Sequence, residues 1–207
     1  VAQLGTQAMG LVVPGKSPVK TLAELVADGK KKDGAGHAYG SVGIGHTGHI
    51  WSELLTAEAG FKGANVVYKG ASPLLVDLIS NRMDWAFLAS SDAVDRAANG
   101  SLRVLAVTGP KRIRQLPGTP TMQELGFKGF EMLGWHGVFA PPRTSAATVA
   151  KIERDVLAAM QDPEIRNVME TLGIAPTGLG SAEFAQTLRS DQESWSGLIK
   201  RFKIQVE

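Results

Sequence analysis

The sequence predicts an α/β fold, because short apolar runs alternate with amphipathic helical stretches through most of the chain. Glycine-rich turns join several of the predicted strands to the helices that follow them. A threonine at the N-cap with a glutamate at position N3 forms a capping box at Thr21 and again at Thr121. This pattern is typical of an open, mostly parallel sheet with helices packed on it.

Before residue 130 the sequence predicts five strands and the helices between them. We expect the helix after the third strand to take Ser72 as its N-cap and Pro73 as its first residue, where the missing N–H of proline has no cost. The Asn99-Gly100 pair is expected to end another helix. The predicted strands are Met9 to Val13, His37 to Ser41, Ala64 to Tyr68, Asp84 to Leu88 and Leu102 to Thr108, and the predicted helices are 21–29, 47–59, 73–79 and 91–98.

After residue 130 helices dominate the pattern. One strand is predicted over 134–140, and helices with apolar stripes follow over 144–161, over 163–173 and from Ser181 onward. Helices in α/β proteins normally pack on a sheet, but this part of the sequence gives little further strand signal. We therefore expect these helices to need a sheet that the chain does not clearly contain.

The composition of the 207 residues is that of an ordinary globular protein, with 43% hydrophobic and 20% charged residues. A net charge of +2 is too small and too evenly spread to indicate a nucleic-acid partner. We interpret the run Lys30-Lys31-Lys32 as a solvated helix end, with a phosphate-binding patch as the alternative. The chain has no cysteine, which excludes disulfides and thiolate metal sites. No apolar run approaches the roughly 18 residues that would span a bilayer.

A glycine-rich loop follows the second predicted strand and opens a helix. Gly43, Gly45 and Gly48 match a dinucleotide-binding GxGxxG pattern. That interpretation requires an acidic residue about 20 positions later, at the end of the next strand. The next strand ends instead at Tyr68-Lys69-Gly70, so a nucleotide-dependent enzyme remains only a third alternative, in which Lys69 would meet a 2′-phosphate.

The same loop is a candidate anion site, because glycine N–H groups and a helix N-terminus both favour negative charge. Ser41 and Thr47 can add hydroxyl donors, although Thr47 could instead be a simple N-cap. Small residues recur in the turns after the third and fourth strands, over 68–73 and 88–92. In a parallel sheet these turns meet at the carboxyl edge of the strands, where ligands bind. Asp92 is most simply a helix-start residue, and the alternative is that it receives an ammonium group.

Catalysis is poorly supported by the sequence. His46 and His49 stand three residues apart without a third metal ligand at a suitable spacing. A nucleophilic Ser41 would follow a glycine two positions earlier, but Tyr39 stands there. His136 lies in an apolar strand and is interpreted as a core residue. We therefore predict a binding protein with no catalytic residue, no metal and no cofactor.

Several stretches taken together resemble the tripartite tricarboxylate transporter receptor family, also called the TctC-like or Bug periplasmic solute-binding proteins. The resemblance covers essentially the whole chain. The stretches that carry it are Leu11-Val12-Val13 to Thr21-Leu22-Ala23-Glu24-Leu25, the loop from Tyr39 to His49, Val67-Tyr68-Lys69-Gly70 with Pro73 and Asp77-Leu78, Leu102 to Thr108, Leu116-Pro117 with Pro120-Thr121, Glu124, Gly126 and Phe130, and Trp135 with Gly137 and Ala140-Pro141.

The resemblance implies a periplasmic-binding-protein type II fold, a two-domain Venus flytrap that binds carboxylates between its domains. Within this family His46 stands where a small residue is more usual, which implies an altered selectivity. The ligand-binding residues implied by position are Ser41, Gly43, Gly45, His46 and Thr47 in the first loop, Tyr68, Lys69, Gly70 and Ala71 in the second, Ala89, Ser90 and Asp92 in the third, and Trp135 near the second crossover.

The resemblance also implies a division of the chain. Residues 1–13 correspond to a crossover strand, 14–130 to a complete second domain that binds the ligand, and 131–207 to the C-terminal part of a first domain that is otherwise missing. We expect a truncated periplasmic receptor for a small carboxylate, working with membrane transporter subunits and able to self-associate through its uncovered C-terminal helices. The alternative is the ligand-sensing domain of a transcriptional regulator.

Overall fold

The strands form two separate sheets in the computed structural model, which describes residues 1–31 and 36–205. Lys32, the last residue of the basic run, lies outside this part. The strands are β1 (Ala2–Gln7), β2 (Met9–Pro14), β3 (Ala38–Ser41), β4 (Ala64–Val67), β5 (Trp85–Ala89), β6 (Leu102–Val107), β7 (Gly134–Val138) and β8 (Ile174–Leu179). The helices are α1 (Leu22–Lys31), α2 (Thr47–Ala59), α3 (Ala71–Ile79), α4 (Ser90–Ala98), α5 (Ala146–Ala159), α6 (Pro163–Thr171) and α7 (Ser181–Arg201).

The larger sheet has the strand order β4-β3-β5-β2-β6. β3 pairs in parallel with β4 and with β5, whereas β2 is antiparallel to both of its neighbours. The sheet is therefore mixed, because β2, its first strand in sequence, runs against the others. The carboxyl ends of β3, β4 and β5 still share one edge, and Met9 at the start of β2 pairs with Ala89 at that edge.

Helices cover both faces of the larger sheet. Alternate residues of β2 supply the two apolar cores, as expected for a strand buried on both sides. Leu11 and Val13 belong to the core that contains Leu25 of α1 and Leu54 of α2. Val12 belongs to a second core, together with Leu74, Leu75 and Leu78 of α3 and Ala93 of α4.

The smaller sheet has the order β7-β1-β8, with β1 antiparallel to both neighbours. β1 lies within residues 1–13, where the resemblance implies a crossover strand, whereas β8 was not expected. The expectation that the C-terminal helices adjoin no clear sheet was wrong. α5 and α6 nevertheless contain no buried residue. Large apolar side chains remain exposed on this part of the described chain, namely Phe139, Ile165, Val168 and Leu172.

The long helix α7 contacts both sheets. Near its start, the ring of Phe184 lies 5.2 Å from the ring of Trp135 on β7. Near its end, Trp195 lies 4.9 Å from Trp51 of α2, and Arg201 forms an ion pair with Glu58 at 2.8 Å. The last turns of α7 therefore pack against the core of the larger sheet.

Three expected helix starts differ from the structure. α3 begins at Ala71, so Ser72 is not its N-cap, and Gly70 in that position makes no side-chain capping bond. The Thr121 box forms both of its hydrogen bonds, at 3.1 and 2.7 Å, but the chain there is a turn and not a helix. Ser181, which we also expected to be an N-cap, is instead the first residue of α7 after the N-cap Gly180, and its hydroxyl donates to Glu153 at 3.0 Å. The two hydrogen bonds of a capping box are thus present at Thr121 although no helix follows it.

The contact between β7 and α7 can be tested with a pair of glycine substitutions. A Cβ at Gly137 would lie 2.5 Å from the Phe184 ring, which is 1% exposed. We predict that Gly137→Ala lowers the free energy of unfolding by about 1–3 kcal/mol, because the ring has little room to move. Urea denaturation measures this change. Gly118→Ala is the control, since nothing lies within 4 Å of its Cβ, and it should change stability by less than about 0.5 kcal/mol.

Candidate ligand-binding site

Three loops follow β3, β4 and β5 at the same edge of the larger sheet. Ser41 at the end of β3 pairs with Val67 at the end of β4, and the Ser41 carbonyl accepts the N–H of Tyr68 at 2.8 Å. Gly40 pairs with Ala86 of β5. The expectation that these loops meet at one edge is therefore confirmed, since parallel pairing fixes their common side.

The hydroxyl of Ser41 is engaged within the protein. Ser41 is 2% exposed, and its hydroxyl donates to the Oδ1 of Asn65 at 2.8 Å. This bond links the first loop to the neighbouring strand β4. Asn65 was not singled out from the sequence, although an amide side chain inside a short apolar strand is a signal that it could be. A direct contact between Ser41 and a ligand stays a prediction.

Two histidine rings cap the first loop. The N–H of Gly45, whose φ is 76°, donates to Nδ1 of His49 at 3.0 Å, and the N–H of Gly48 donates to Nδ1 of His46 at 3.3 Å. His46, and not Thr47, is the N-cap of α2. The Gly45 amide, which was expected to face a ligand, thus already has an acceptor. Thr47 is the first residue of α2, where a helix leaves the N–H without an acceptor inside the helix itself.

Both rings can accept hydrogen bonds because their environment favours the neutral form. Burial lowers the pKa of His46 and of His49 from the ordinary value of 6.5. For His49 the nearby Glu53 carboxylate raises the pKa and offsets part of that effect. A neutral ring keeps a lone pair on Nδ1, which the two N–H groups of the loop require.

Behind His49 lies a buried cluster of polar and aromatic groups. The Tyr39 hydroxyl donates to Oε1 of Glu53, and the Tyr39 ring is stacked on the His49 ring with centroids 6.2 Å apart. Burial, followed by the hydrogen bond to Glu53, strongly raises the pKa of Tyr39. Tyr39 is therefore a neutral donor at physiological pH.

The second loop, over 68–71, is more open than the first. The Tyr68 hydroxyl donates to Asp77 at 2.9 Å, which holds the ring against α3. Lys69 and Ala71 are exposed. Gly70 has φ 114°, and no atom lies within 4 Å of the position of its Cβ. No side chain caps α3 at Gly70, so the first N–H groups of this helix have no side-chain capping partner.

The third loop is covered by the turn between α6 and β8. Ser90 is 0% exposed, its hydroxyl donates to the Gly173 carbonyl at 2.9 Å, and its N–H donates to Ala8 at 3.0 Å. Ala89 and Asp92 are half-buried. The structure therefore joins Ser90 to the turn before β8 as well as to the edge of the larger sheet.

Trp135 lies apart from the three loops. It is on β7, its indole N–H donates to Asp191 of α7 at 3.1 Å, and its ring contacts Phe139 and Phe184. Burial raises the pKa of Asp191, and the indole bond lowers it in part. The described contacts of Trp135 are those of a residue that holds α7 on the smaller sheet, and its role at a ligand stays a prediction.

Two cavities lie near the edge of the sheet. One of about 530 Å³ borders the first loop and is lined by Ile44, His49, Glu53, Asn65, Val67 and residues 202–205. The other, of about 350 Å³, lies beside the crossover between the sheets, against residues 110–115 and 173–176. Neither of these two cavities is lined by residues of all three loops. Within residues 1–31 and 36–205 no group of three or more His, Cys, Asp or Glu could hold a metal ion.

The two sheets and the loops at the strand ends define a ligand-binding protein of the periplasmic-binding-protein type. The model of the tripartite tricarboxylate transporter family receptors matches residues 1–204, and the chain belongs to this family. The expected fold class is thereby confirmed. Members of this family are receptors, so the prediction of a binding protein and not an enzyme is confirmed as well.

Relatives and solved structures agree with this assignment. The UPF0065 protein in the tcbD-tcbE intergenic region of Pseudomonas sp. (strain P51) is 31% identical over 94% of this chain and 58% of its own length. Protein BugT of Bordetella pertussis is 24% identical over 97% of this chain and 61% of its own. The chain thus spans less than two thirds of these relatives.

The structural similarity extends over all of the chain. The Rhodopseudomonas palustris protein Rpa4515, solved with adipate, is 26% identical with a TM-score of 0.92, over 100% of this chain and 69% of that one. The periplasmic binding protein BugD is 26% identical with a TM-score of 0.88, over 100% and 70%.

The lowered histidine pKa values predict a pH-dependent stability. Below about pH 6.5 the unfolded chain binds protons that His46 and His49 in the folded protein do not, so the contribution of the two neutral rings to stability is complete above pH 6.5 and is lost as the pH falls. We predict that the free energy of unfolding decreases more between pH 7 and pH 5 in the wild type than in the double variant His46→Asn/His49→Asn. Urea denaturation at three pH values measures both slopes. Equal slopes would contradict the prediction.

Proposed function

We propose that this chain is part of an extracytoplasmic solute-binding protein that captures a small carboxylate for a tripartite tricarboxylate-type transporter. The observation that carries the proposal is the placement of two helix starts, those of α2 and α3, side by side at one edge of a sheet. Helix N-termini attract anions through their free N–H groups and the helix dipole. The relative solved with adipate supports a carboxylate as the ligand.

The proposed mode of capture uses backbone donors first and side chains second. The Thr47 N–H and hydroxyl would hold one carboxylate oxygen, and the open N–H groups at Gly70 and Ala71 would hold another. Hydrogen bonds to a charged acceptor contribute about 1.5–3 kcal/mol each. Lys69, which is exposed at the rim, would add a favourable charge. Asp92 at the start of α4 is the group that would receive an amino substituent.

A periplasmic location is part of the proposal. It is supported by the family and by the relatives described as periplasmic binding proteins. Among the described residues no helix is both long enough and apolar enough to cross a membrane. Delivery to membrane transporter subunits would follow from membership of the family.

The proposed domain division is 1–13 as a crossover, 14–130 as the ligand-binding domain and 131–207 as part of the other domain. It is supported by the share of the similar structures that the chain spans, 69% for Rpa4515, and by the exposed apolar side chains of α6. In this proposal a further segment completes the smaller sheet and closes the cleft from the opposite side. Self-association through the same exposed helices is the competing way to cover them.

Calorimetry with adipate and a panel of other carboxylates tests the proposal. We predict a Kd above about 1 mM for this chain, because one side of the cleft is open. A longer form that adds a segment corresponding to the uncovered part of the relatives should bind at least one panel member about 100-fold more tightly. Tight and equal binding by both forms would contradict the domain proposal, and no binding by either would contradict the carboxylate function.

A negative charge introduced into the first loop provides a second test. A side chain fits at Gly43, where the nearest atom to a Cβ is His46 Cβ at 3.9 Å. We predict that Gly43→Asp weakens carboxylate binding by the longer form at least about tenfold, because like charges repel at short range. Its thermal unfolding midpoint should stay within about 2 °C of the wild type.

Gly118→Asp is the matched control, since its Cβ also meets open space but lies in another loop. It should leave the affinity unchanged. If Gly43→Asp bound carboxylates as well as this control does, the first loop would not be the ligand site.

A further inference from the structure

His49 is tied to the first loop by one well-formed hydrogen bond. Its Nδ1 accepts the Gly45 N–H at 3.0 Å, and Gly45 adopts the left-handed conformation that allows this approach. His49 is 8% exposed and lies one turn into α2. The bond therefore connects the glycine-rich loop to helix α2.

The orientation of the ring is fixed on its other sides too. Because Nδ1 accepts a hydrogen bond, the proton of the neutral ring is on Nε2, which faces Oε1 of Glu53 at 3.8 Å. The same oxygen accepts the hydroxyl of Tyr39, whose ring is stacked on His49 and is 0% exposed. Tyr39 and Glu53 thus hold the imidazole with Nδ1 directed at the loop.

The bond also determines which N–H groups a ligand can reach. With the Gly45 N–H turned toward His49, and with the His46 N–H donating to the Gly43 carbonyl at 3.2 Å, the loop is closed on itself. The N–H of Thr47 is left at the tip of α2. A loop fixed before the ligand arrives loses less conformational entropy on binding.

We infer that His49 is a positioning residue, which holds the first loop in its anion-binding shape by accepting the Gly45 N–H. This inference rests on the proposed carboxylate function. It assigns no contact between His49 and the ligand. A protonated ring carries a hydrogen on Nδ1 and cannot accept, so protonation releases Gly45 and weakens binding.

The charged and titratable groups around His49 set the pH at which its ring is protonated and Gly45 is released. Glu53 on the same helix stabilises the protonated ring, and Tyr39 on β3 stays neutral. His46 lies in the loop itself, and Lys203 after α7 lines the same cavity as His49. Burial, the largest cause, lowers the pKa of His49 below its ordinary value. The ring is therefore protonated, and Gly45 released, only at acidic pH.

A measurement without any ligand tests the hydrogen bond directly. Ile44-Gly45 is the only Ile–Gly pair in the sequence. Labelling with ¹³C-carbonyl isoleucine and ¹⁵N-glycine therefore selects the Gly45 amide alone in an NMR spectrum. Its chemical shift should follow the titration of the His49 ring in the wild type and lose that titration in His49→Asn. The inference would be overturned if the chemical shift of the Gly45 amide did not change as the His49 ring titrates.

Affinity measurements with adipate on the longer form test the positioning role. Asparagine places an acceptor close to the position of Nδ1, whereas glutamine places its amide near Nε2. We expect His49→Asn to stay within about threefold of the wild type at pH 7.5, and His49→Gln and His49→Ala to lose at least about tenfold. Between pH 7.5 and pH 5.5 the affinity of the wild type should fall more than the affinity of His49→Asn. Because both proteins bind the same adipate, the protonation of adipate cancels in the ratio of the two affinities.

The outcomes separate the two proposals. If His49→Ala binds as tightly as the wild type, or if the ratio to His49→Asn does not change with pH, the positioning role is wrong while the carboxylate function stands. If no form binds any carboxylate, the proposed function is wrong, and the NMR titration alone decides whether His49 holds Gly45.

Discussion

The parallel pairing of β3 with β4 and β5 is the constraint on which the rest of this site depends. It places the ends of three strands, and the starts of the helices that follow them, at a single edge. Had one of these strands run the other way, as β2 does, its loop would lie about the length of a strand away. Strand direction thus determines where the three loops meet, and residue type determines only what they present there.

The glycine-rich loop after β3 gains a defined shape from its contacts with α2 but loses free N–H donors to them. Its glycines bring the backbone close to α2, and His46 and His49 then take up two of the exposed N–H groups. The cost is a smaller number of free donors for a ligand. The benefit is a loop of defined shape, in which the free donors lie at Thr47 and at the uncapped start of α3.

The third loop and α7 connect the two sheets. Ser90 hydrogen bonds to Gly173 in the turn before β8, and the end of α7 packs on Trp51 of the larger sheet. A movement of one sheet relative to the other must therefore change contacts at both places. Ile165 and Val168 of α6 are left exposed, and a further segment or a second molecule can cover them.

The sequence by itself determined the local features: the apolar alternation of β2, the Thr21 capping bond, and the three small-residue loops at the ends of strands. These depend on residues within a few positions of each other, so spacing and residue type suffice to predict them. The tertiary structure alone decided the strand β8, whose glycine and proline give a weak local signal and which exists through pairing with β1. It also decided that Ser90 faces Gly173, a residue 83 positions away, and that His49 accepts from Gly45. The direction of a side chain within a site depends on what packs behind it, and that packing is set by parts of the chain that are distant in sequence.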